Sequence, residues 1–345
     1  MQMNSTSAKI YREALRLMRA DIEHSGHLVG FYTRRVCPSA KPAIYVRQQQ
    51  PEGLPGVVFE VAPSAVKPLR LAQATKGFVV STELTVDASG RKVCCVAVSL
   101  NDASFEELFS ELVGHLLDHV IASVTERDSM ISLQAQLQLW RKFLDRGADD
   151  GLSENEQTGL YGELSFVRLC MEAGMPAVDL LNAWTGPTGT NQDFTFGACA
   201  VEVKSSSSND ANRIRISNLR QLDDTGLDEL YLQHYAFDRR QSAAGTLPEL
   251  VGVLLGRFQA DDVALNVLFD ERLIAAGYFR SHEALYRETG YTERYSNTYG
   301  IREGFPRILE ADICLGISDV KFVVDLASAK DYRIDVVEVL RECEG

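Results

Sequence analysis

Two carboxylates and one amine, Asp193, Glu202 and Lys204, lie close together in the stretch Thr190–Lys204. Residues Phe194–Phe196 and Cys199–Lys204 are rich in aromatic and β-branched side chains. Gly197-Ala198 between them suits a two-residue turn with glycine in the first central position, so the stretch is predicted to form a tight β-hairpin. Folding there sets Phe196 opposite Cys199, Thr195 opposite Ala200, Phe194 opposite Val201 and Asp193 opposite Glu202. Side chains alternate between faces, so Phe194, Phe196, Cys199, Val201 and Val203 make an apolar core face. Asp193, Thr195, Ala200, Glu202 and Lys204 share the other face, which is read as a site. Like charges directly opposed across a strand pair repel, and two arrangements relieve them. In one, the Lys204 ammonium bridges both carboxylates on a solvated strand face. In the other, a divalent cation sits between them and Lys204 holds or activates an attacking water.

The hairpin must be held by what surrounds it. Upstream, Ser153 and Glu156 have the spacing of a capping box, and Leu160, Leu164, Val167 and Met171 recur at helical spacing to about Ala173, where Gly174 and Pro176 end the helix. Glu163 stands beside that apolar stripe. An extended piece is predicted near Leu180–Trp184, a strand at Arg213–Ile216, and a short helix after a Ser217 N-cap that carries Arg220 and Gln221. The polar residues 205–210 form a loop after Lys204 that would rim a nucleic-acid site at Ser205, with Arg213 and Arg215 placed to meet phosphates. A strand at Glu229–Phe237, helices at Leu247–Phe258 and Asp261–Ala276, and two or three strands within Ile308–Leu340 complete this part. Tyr286, Tyr291, Tyr295 and Tyr299 alternate with arginines as a base-stacking surface would. Acidic Glu288, Glu293 and Glu303 interrupt the pattern, so half-buried strand tyrosines are the preferred reading.

Nearer the N-terminus, Ser5–Glu23 reads as a helix, and short apolar segments between Leu28 and Val98 read as strands of a small mixed domain. Ser104 with Glu107 suggests a capping box for a helix bearing Phe105, Leu108, Leu112, Leu116 and Val120, and a further helix spans Ser129–Leu144. His115 and His119 lie one helical turn apart, but a zinc-protease helix needs Glu directly after the first His, and Leu116 is there. A surface or interface pair is the reading adopted. Gly147–Gly151 is the expected linker, which divides the chain into an N-terminal α+β domain (1–147), a targeting or assembly module, and a second domain (148–345) with its core at about 152–240.

The residues from Leu152 to Leu164, Ala183-Trp-Thr-Gly-Pro187, Gln192-Asp193-Phe194, Val201-Glu-Val-Lys204 and Ile216–Leu222 resemble the PD-(D/E)XK nuclease superfamily. They are closest to the bacterial "PD-(D/E)XK motif protein" family associated with restriction and phage defence. Gln192 stands where the superfamily pattern has Pro. The resemblance implies an α+β, restriction-endonuclease-like core: a mixed central sheet flanked by helices, followed by a C-terminal strand extension. It also implies a metal-dependent endonuclease that hydrolyses DNA phosphodiester bonds in a restriction or anti-phage system. Mg²⁺, replaceable by Mn²⁺, would be held by Asp193, Glu202, the Val203 carbonyl and Glu163, with Lys204 and Gln221 as further catalytic residues. The alternatives are a non-cleaving DNA-binding or assembly subunit and an RNA-cleaving toxin.

Composition limits how such a protein would meet DNA. The chain has 345 residues, 45% of them hydrophobic, so a sizeable core can form, and no apolar run is long enough to span a membrane. A cytoplasmic protein is expected, with no membrane partner. Its net charge of −13 and pI near 5.0 oppose unaided DNA binding, which relies on phosphate neutralisation. Companion defence proteins, an ATPase or a methyltransferase, are therefore expected beside DNA as partners, and a homodimer is a further option. The seven cysteines show no C-x-x-C pair and are read as reduced, without a disulfide framework or structural zinc.

Overall fold

In the computed structural model the chain divides into two compact units, Met1–Asp149 and Asp150–Gly345. The structure describes residues 6–25, 29–67, 69, 74–87, 89–145, 151–207, 210–241, 243–261 and 263–344. Ser5, Leu28, residues 147–150 of the expected linker, and Ser208 and Asn209 of the expected rim lie outside them.

The first unit opens with α1 (Thr6–Ser25) and builds an antiparallel sheet from β1 (Gly30–Val36), β2 (Ala43–Gln50), β3 (Pro55–Val61), β4 (Phe78–Val86) and β5 (Lys92–Leu100), in the order β1-β2-β3-β5-β4. A short α2 (Pro63–Val66) follows β3, and α3 (Glu106–Ala122) and α4 (Glu126–Asp145) follow the sheet. Leu108, Leu112, Leu116 and Val120 are buried along α3, as their spacing predicts. The start of α3 differs from expectation. Ser104 does not cap α3, which begins without a side-chain cap; Asp102 instead caps the preceding turn, its carboxylate accepting from the Ser104 N–H at 2.9 Å and from its hydroxyl at 2.8 Å. The ionised acceptor engages the hydroxyl meant to cap, and a 3₁₀ turn at Ala103–Phe105 precedes α3. His119 meets Gln136 of α4, and the His115 ring lies beside Trp140.

The second unit begins with α5 (Glu154–Glu172), capped by the predicted Ser153–Glu156 box. Next comes α6 (Ala177–Ala183), where an extended piece was expected. Pro176 presets the entry to this helix, and one turn lets both Leu180 and Leu181 reach the core. The chain continues through β6 (Phe194–Phe196), β7 (Cys199–Ser206), β8 (Arg213–Ile216), β9 (Glu229–Gln241), α7 (Leu247–Asp261), α8 (Val263–Ala275), α9 (Glu283–Tyr286), β10 (Thr289–Gly300), β11 (Phe322–Asp325), β12 (Arg333–Ile334) and α10 (Val336–Glu344). The main sheet runs β12-β10-β9-β7-β6, with β7 and β9 parallel and its other neighbours antiparallel, and β8 pairs with β11 in a small second sheet. The architecture is the mixed α+β one expected. The C-terminal segment adds the amphipathic α10 to its strands, with Val339, Leu340 and Cys343 buried. Tyr291 and Tyr299 are buried in β10, and Tyr286 closes α9. They are packing groups, more deeply buried than expected. Among the described residues no helix is long and apolar enough to cross a membrane.

Both faces of β7 are covered, which corrects the expectation of one core face and one open face. Val201 and Val203 join Leu164, Phe166, Trp184 and Phe194 on the helical side. Ala200 joins Ile214, Ile216, Leu230, Leu232 and Tyr299 on the other. A strand with a parallel neighbour is ordinarily covered on both faces, so the site is confined to the part of the second face beyond Ala200. The cysteines also differ from expectation: Cys199 and Cys343 form a disulfide, with Cα atoms 5.4 Å apart and 144 residues between them in sequence. No local spacing announces such a pair.

Helix α5 lies so close to β7 that a Cβ on Gly162 would fall 1.8 Å from Ser205 Oγ. Gly162→Ala should therefore destabilise the unit by about 1–3 kcal/mol, the usual penalty of overpacking. Adding Ser205→Gly should recover part of the loss. Urea denaturation of both single variants and the double variant measures the coupling, and strictly additive losses would show that Ser205 is not the obstruction.

Candidate active site

The hairpin has the register read from its sequence: Phe196 pairs with Cys199, Thr195 with Ala200 and Phe194 with Val201. Gly197 takes φ +60°, a conformation favoured by glycine, at the first turn position. Asp193 immediately precedes β6 and is held from three sides. Its Oδ2 accepts the Val203 N–H at 2.8 Å. Its backbone carbonyl accepts from the N–H groups of Thr185 and Gly186, both at 2.9 Å. Gly186 is required for this approach, because a Cβ there would lie 2.7 Å from Asp193 Oδ1 and 2.9 Å from its Cα. The Trp-Thr-Gly-Pro segment is therefore the cradle of the acidic residue.

Glu202 is fully buried. Its Oε1 accepts from the Lys204 ammonium, which is only 17% exposed. Its Oε2 is buried with no hydrogen-bond partner among the described residues. Glu163 comes from α5, and its Oε2 accepts the Trp184 indole N–H at 2.7 Å. The structure thus gathers Asp193, Glu202, Lys204 and Glu163, which act on one another electrostatically.

The charges shift together. Burial raises the Glu163 carboxyl well above its ordinary value, and the Asp193 and Glu202 charges add to this against the Trp184 hydrogen bond and Lys204. Burial also raises Asp193, moderated by Lys204 and the Val203 N–H. Glu202 is pushed up to about 8, first by burial and then by Asp193. Burial alone would lower Lys204, but Glu202, Asp193 and Glu163 outweigh it and raise the amine. Lys204 is an ammonium at neutral pH, and it supplies positive charge amid the three carboxyls.

Among the described residues no three His, Cys, Asp or Glu side chains form a ready-made metal cage. The donor set nevertheless fits a hard divalent cation. Carboxylates and a backbone carbonyl are oxygen donors of the kind Mg²⁺ takes in sparse protein ligation completed by water and phosphate. The unpartnered Oε2 of Glu202 is a buried acceptor that such an ion would satisfy.

The remaining expected site residues are placed differently. Gln221 lies on a 3₁₀ helix, Leu219–Leu222, whose cap is Asn218 and not Ser217. Its amide oxygen accepts from the Ser217 N–H at 3.1 Å and hydroxyl at 3.2 Å, a local role within the helix entry. Ser205, expected on the nucleic-acid rim, turns its hydroxyl inward against Gly162, because odd positions of β7 face the helical core. Arg213 and Arg215 project from the exposed side of β8. Gln192, at the superfamily's Pro position, donates to the Arg220 carbonyl at 2.7 Å and ties the acidic strand to the 3₁₀ helix. The roles of Trp184, Gly162 and Gly186 were not read from the sequence, although each lies within one of the matching stretches.

A family model described as "Putative PD-(D/E)XK family member, (DUF4420)" matches residues 12–327. No curated protein and no solved structure matches the chain.

The raised Glu202 carboxyl has a definite consequence for stability. Between its ordinary value of 4.5 and about 8, the unfolded chain has released this proton while the folded chain keeps it. The metal-free fold should therefore lose stability as pH rises through that window. Glu202→Gln removes this contribution and should be the more stable protein at pH 8 by roughly 1–3 kcal/mol, the scale of a poorly satisfied buried polar group. The advantage should vanish near pH 5. Urea denaturation in EDTA at both pH values tests it, and a pH-independent difference would mean that Glu202 does not titrate in this range.

Proposed function

Because the chain belongs to this PD-(D/E)XK family, we propose that it is a metal-dependent endonuclease that hydrolyses DNA phosphodiester bonds within a restriction or anti-phage assembly. The observation that carries this reading is the buried Asp193, Glu202 and Lys204 set with one unsatisfied carboxylate oxygen. Mg²⁺, or Mn²⁺ in its place, would be held by Asp193, Glu202, the Val203 carbonyl and Glu163. When bound, it polarises a phosphate and lowers the pKa of a coordinated water.

The chain's own groups do the rest. Val203 N–H fixes one oxygen of Asp193, and the Trp184 indole fixes one oxygen of Glu163. Glu202 would have to give up its proton to serve as a ligand, so metal loading would be favoured as pH rises towards 8. Lys204, kept charged by its carboxylate neighbours, can donate to the attacking water and to the phosphate oxygens as negative charge grows on them. It acts as an electrostatic group and not as a general base.

The net charge of −13 favours delivery of DNA by a companion such as an ATPase or methyltransferase. It also supports a second reading, a DNA-binding or assembly subunit that does not cut.

Nicking of supercoiled plasmid by the purified chain tests the proposal. Wild type should cut with Mg²⁺ or Mn²⁺ and stop in EDTA. Lys204→Ala, Asp193→Ala and Glu202→Ala should each lose about a hundredfold or more, the scale for removing one transition-state donor, while circular dichroism stays unchanged. Equal cutting by wild type and Lys204→Ala would sink the proposal. An excess of RNA that competes away cutting would redirect it to an RNA substrate.

A further inference from the structure

The sheet of the first unit has two outer strands, β1 and β4, and they are finished differently. Strand β1 carries Arg34, ion-paired to Asp21 of α1 at 2.5 Å, and the exposed Arg35. Charge on an outer strand discourages further pairing. Strand β4 has no such guard. Its run Val79–Val86 contains no proline, keeps an unbroken register with β5 and holds one charged side chain, Glu83. All six residues from Ser81 to Val86 are exposed, Leu84 at 73% and Val86 at 61%. An open outer strand of this kind is a template for another strand.

The phase of the β4–β5 hydrogen bonds identifies the backbone groups that remain open. At one end of the ladder the Asp87 N–H donates to the Arg91 carbonyl at 2.9 Å, and at the other the Asn101 N–H donates to the Gly77 carbonyl at 3.0 Å. Antiparallel bonding alternates from residue to residue, so the odd-numbered residues of β4 bond β5 and the even-numbered ones turn their N–H and C=O groups outward. The upstream end is already used. There the Phe78 carbonyl accepts from the Thr75 N–H at 2.9 Å, and Ala74 bridges to Val79. Thr82, Leu84 and Val86 are left, and among the described residues nothing pairs with their outward groups.

We propose that a second copy of this chain pairs antiparallel with β4 about a two-fold axis at Leu84, which joins two five-stranded sheets into one. Outward groups must meet outward groups, so the axis passes through a residue. An axis at Glu83 would oppose Glu83 to itself, and one at Thr85 would oppose Glu83 to Asp87; like charges so placed are destabilising. An axis at Thr82 would set Val86 against Phe78, whose carbonyl is taken. The axis at Leu84 sets Leu84 against Leu84 and Thr82 against Val86 on one face. On the other it sets Glu83 against Thr85, whose hydroxyl can donate to the carboxylate. It adds about six backbone hydrogen bonds and covers the exposed Leu84 and Val86 of both copies. The free stretch is thus complementary to itself, the condition for an isologous two-fold contact. This dimer is independent of the nuclease reading.

Sedimentation velocity of the whole chain across the micromolar range should show a monomer–dimer equilibrium, with the dimer at twice 38.2 kDa. Leu84→Lys and Leu84→Glu should each remain monomeric to at least about tenfold above the wild-type midpoint, because like charges then face each other across the axis. Equimolar mixing of the two variants should bring the dimer back, as a direct contact between the two copies of residue 84 requires. Leu84 is exposed, so both variants should keep the wild-type circular dichroism. Hydrogen exchange on the wild type checks the same contact without a substitution: residues 81–87 should gain protection as concentration rises. A monomer at every concentration, a dimer indifferent to Leu84→Lys, mixing that restores nothing, or exchange at 81–87 that ignores concentration would each overturn the proposal.

Discussion

Glu202 is a carboxyl group buried completely in an interior strand of the main sheet, with the Lys204 ammonium on one oxygen and no partner among the described residues on the other. Taking such a group out of water is expensive in its charged form, which is why its proton is held up to about pH 8, and pairing repays that expense only when the remaining hydrogen-bonding positions are filled. Here one position is empty. The arrangement is poorly explained as a device for stability, and a cation that fills the empty position would relieve the imbalance. Much of the surrounding structure exists to keep this pair in place. The β7–β9 parallel pairing buries the strand, the hairpin turn brings Asp193 back to the Val203 N–H, and α5 presses Glu163 toward the same point.

Close backbone approach makes this possible. Gly162 and Gly186 stand where any side chain would strike Ser205 or Asp193. One lets the helix that carries Glu163 settle onto β7, and the other lets the Thr-Gly-Pro turn bond the Asp193 carbonyl. Trp184 connects the two by donating to Glu163 while its ring packs near Phe194. The acidic residues come from three separate segments, and the glycines and the tryptophan set the spacing between them.

The hairpin, its register, the α5 capping box and the Asp193, Glu202 and Lys204 set were legible because each depends on contacts within a few residues: strand alternation, a glycine at the turn and a Ser–Glu pair three apart. Several other features were not. Ser104 does not cap α3 because the ionised Asp102 two residues upstream takes its N–H and hydroxyl into a 3₁₀ turn. Residues Leu180–Trp184 read as extended because a short apolar run has no decisive period, and α6 is selected by the core it fills. Ser205 looked like a polar rim residue, yet the parity of β7 turns it inward, and Gln221 caps its own turn.

By itself, the sequence determined which groups could do chemistry and which of them must share a hairpin, because a two-residue turn and an alternating strand leave few choices. Tertiary structure decided the rest. It covered the second face of β7, joined Cys199 to Cys343, placed His234 beside Lys204 and gave the Trp184 proton to Glu163. These outcomes link residues far apart along the chain, and they follow from how layers pack and which buried polar groups must be paired. No local pattern encodes that.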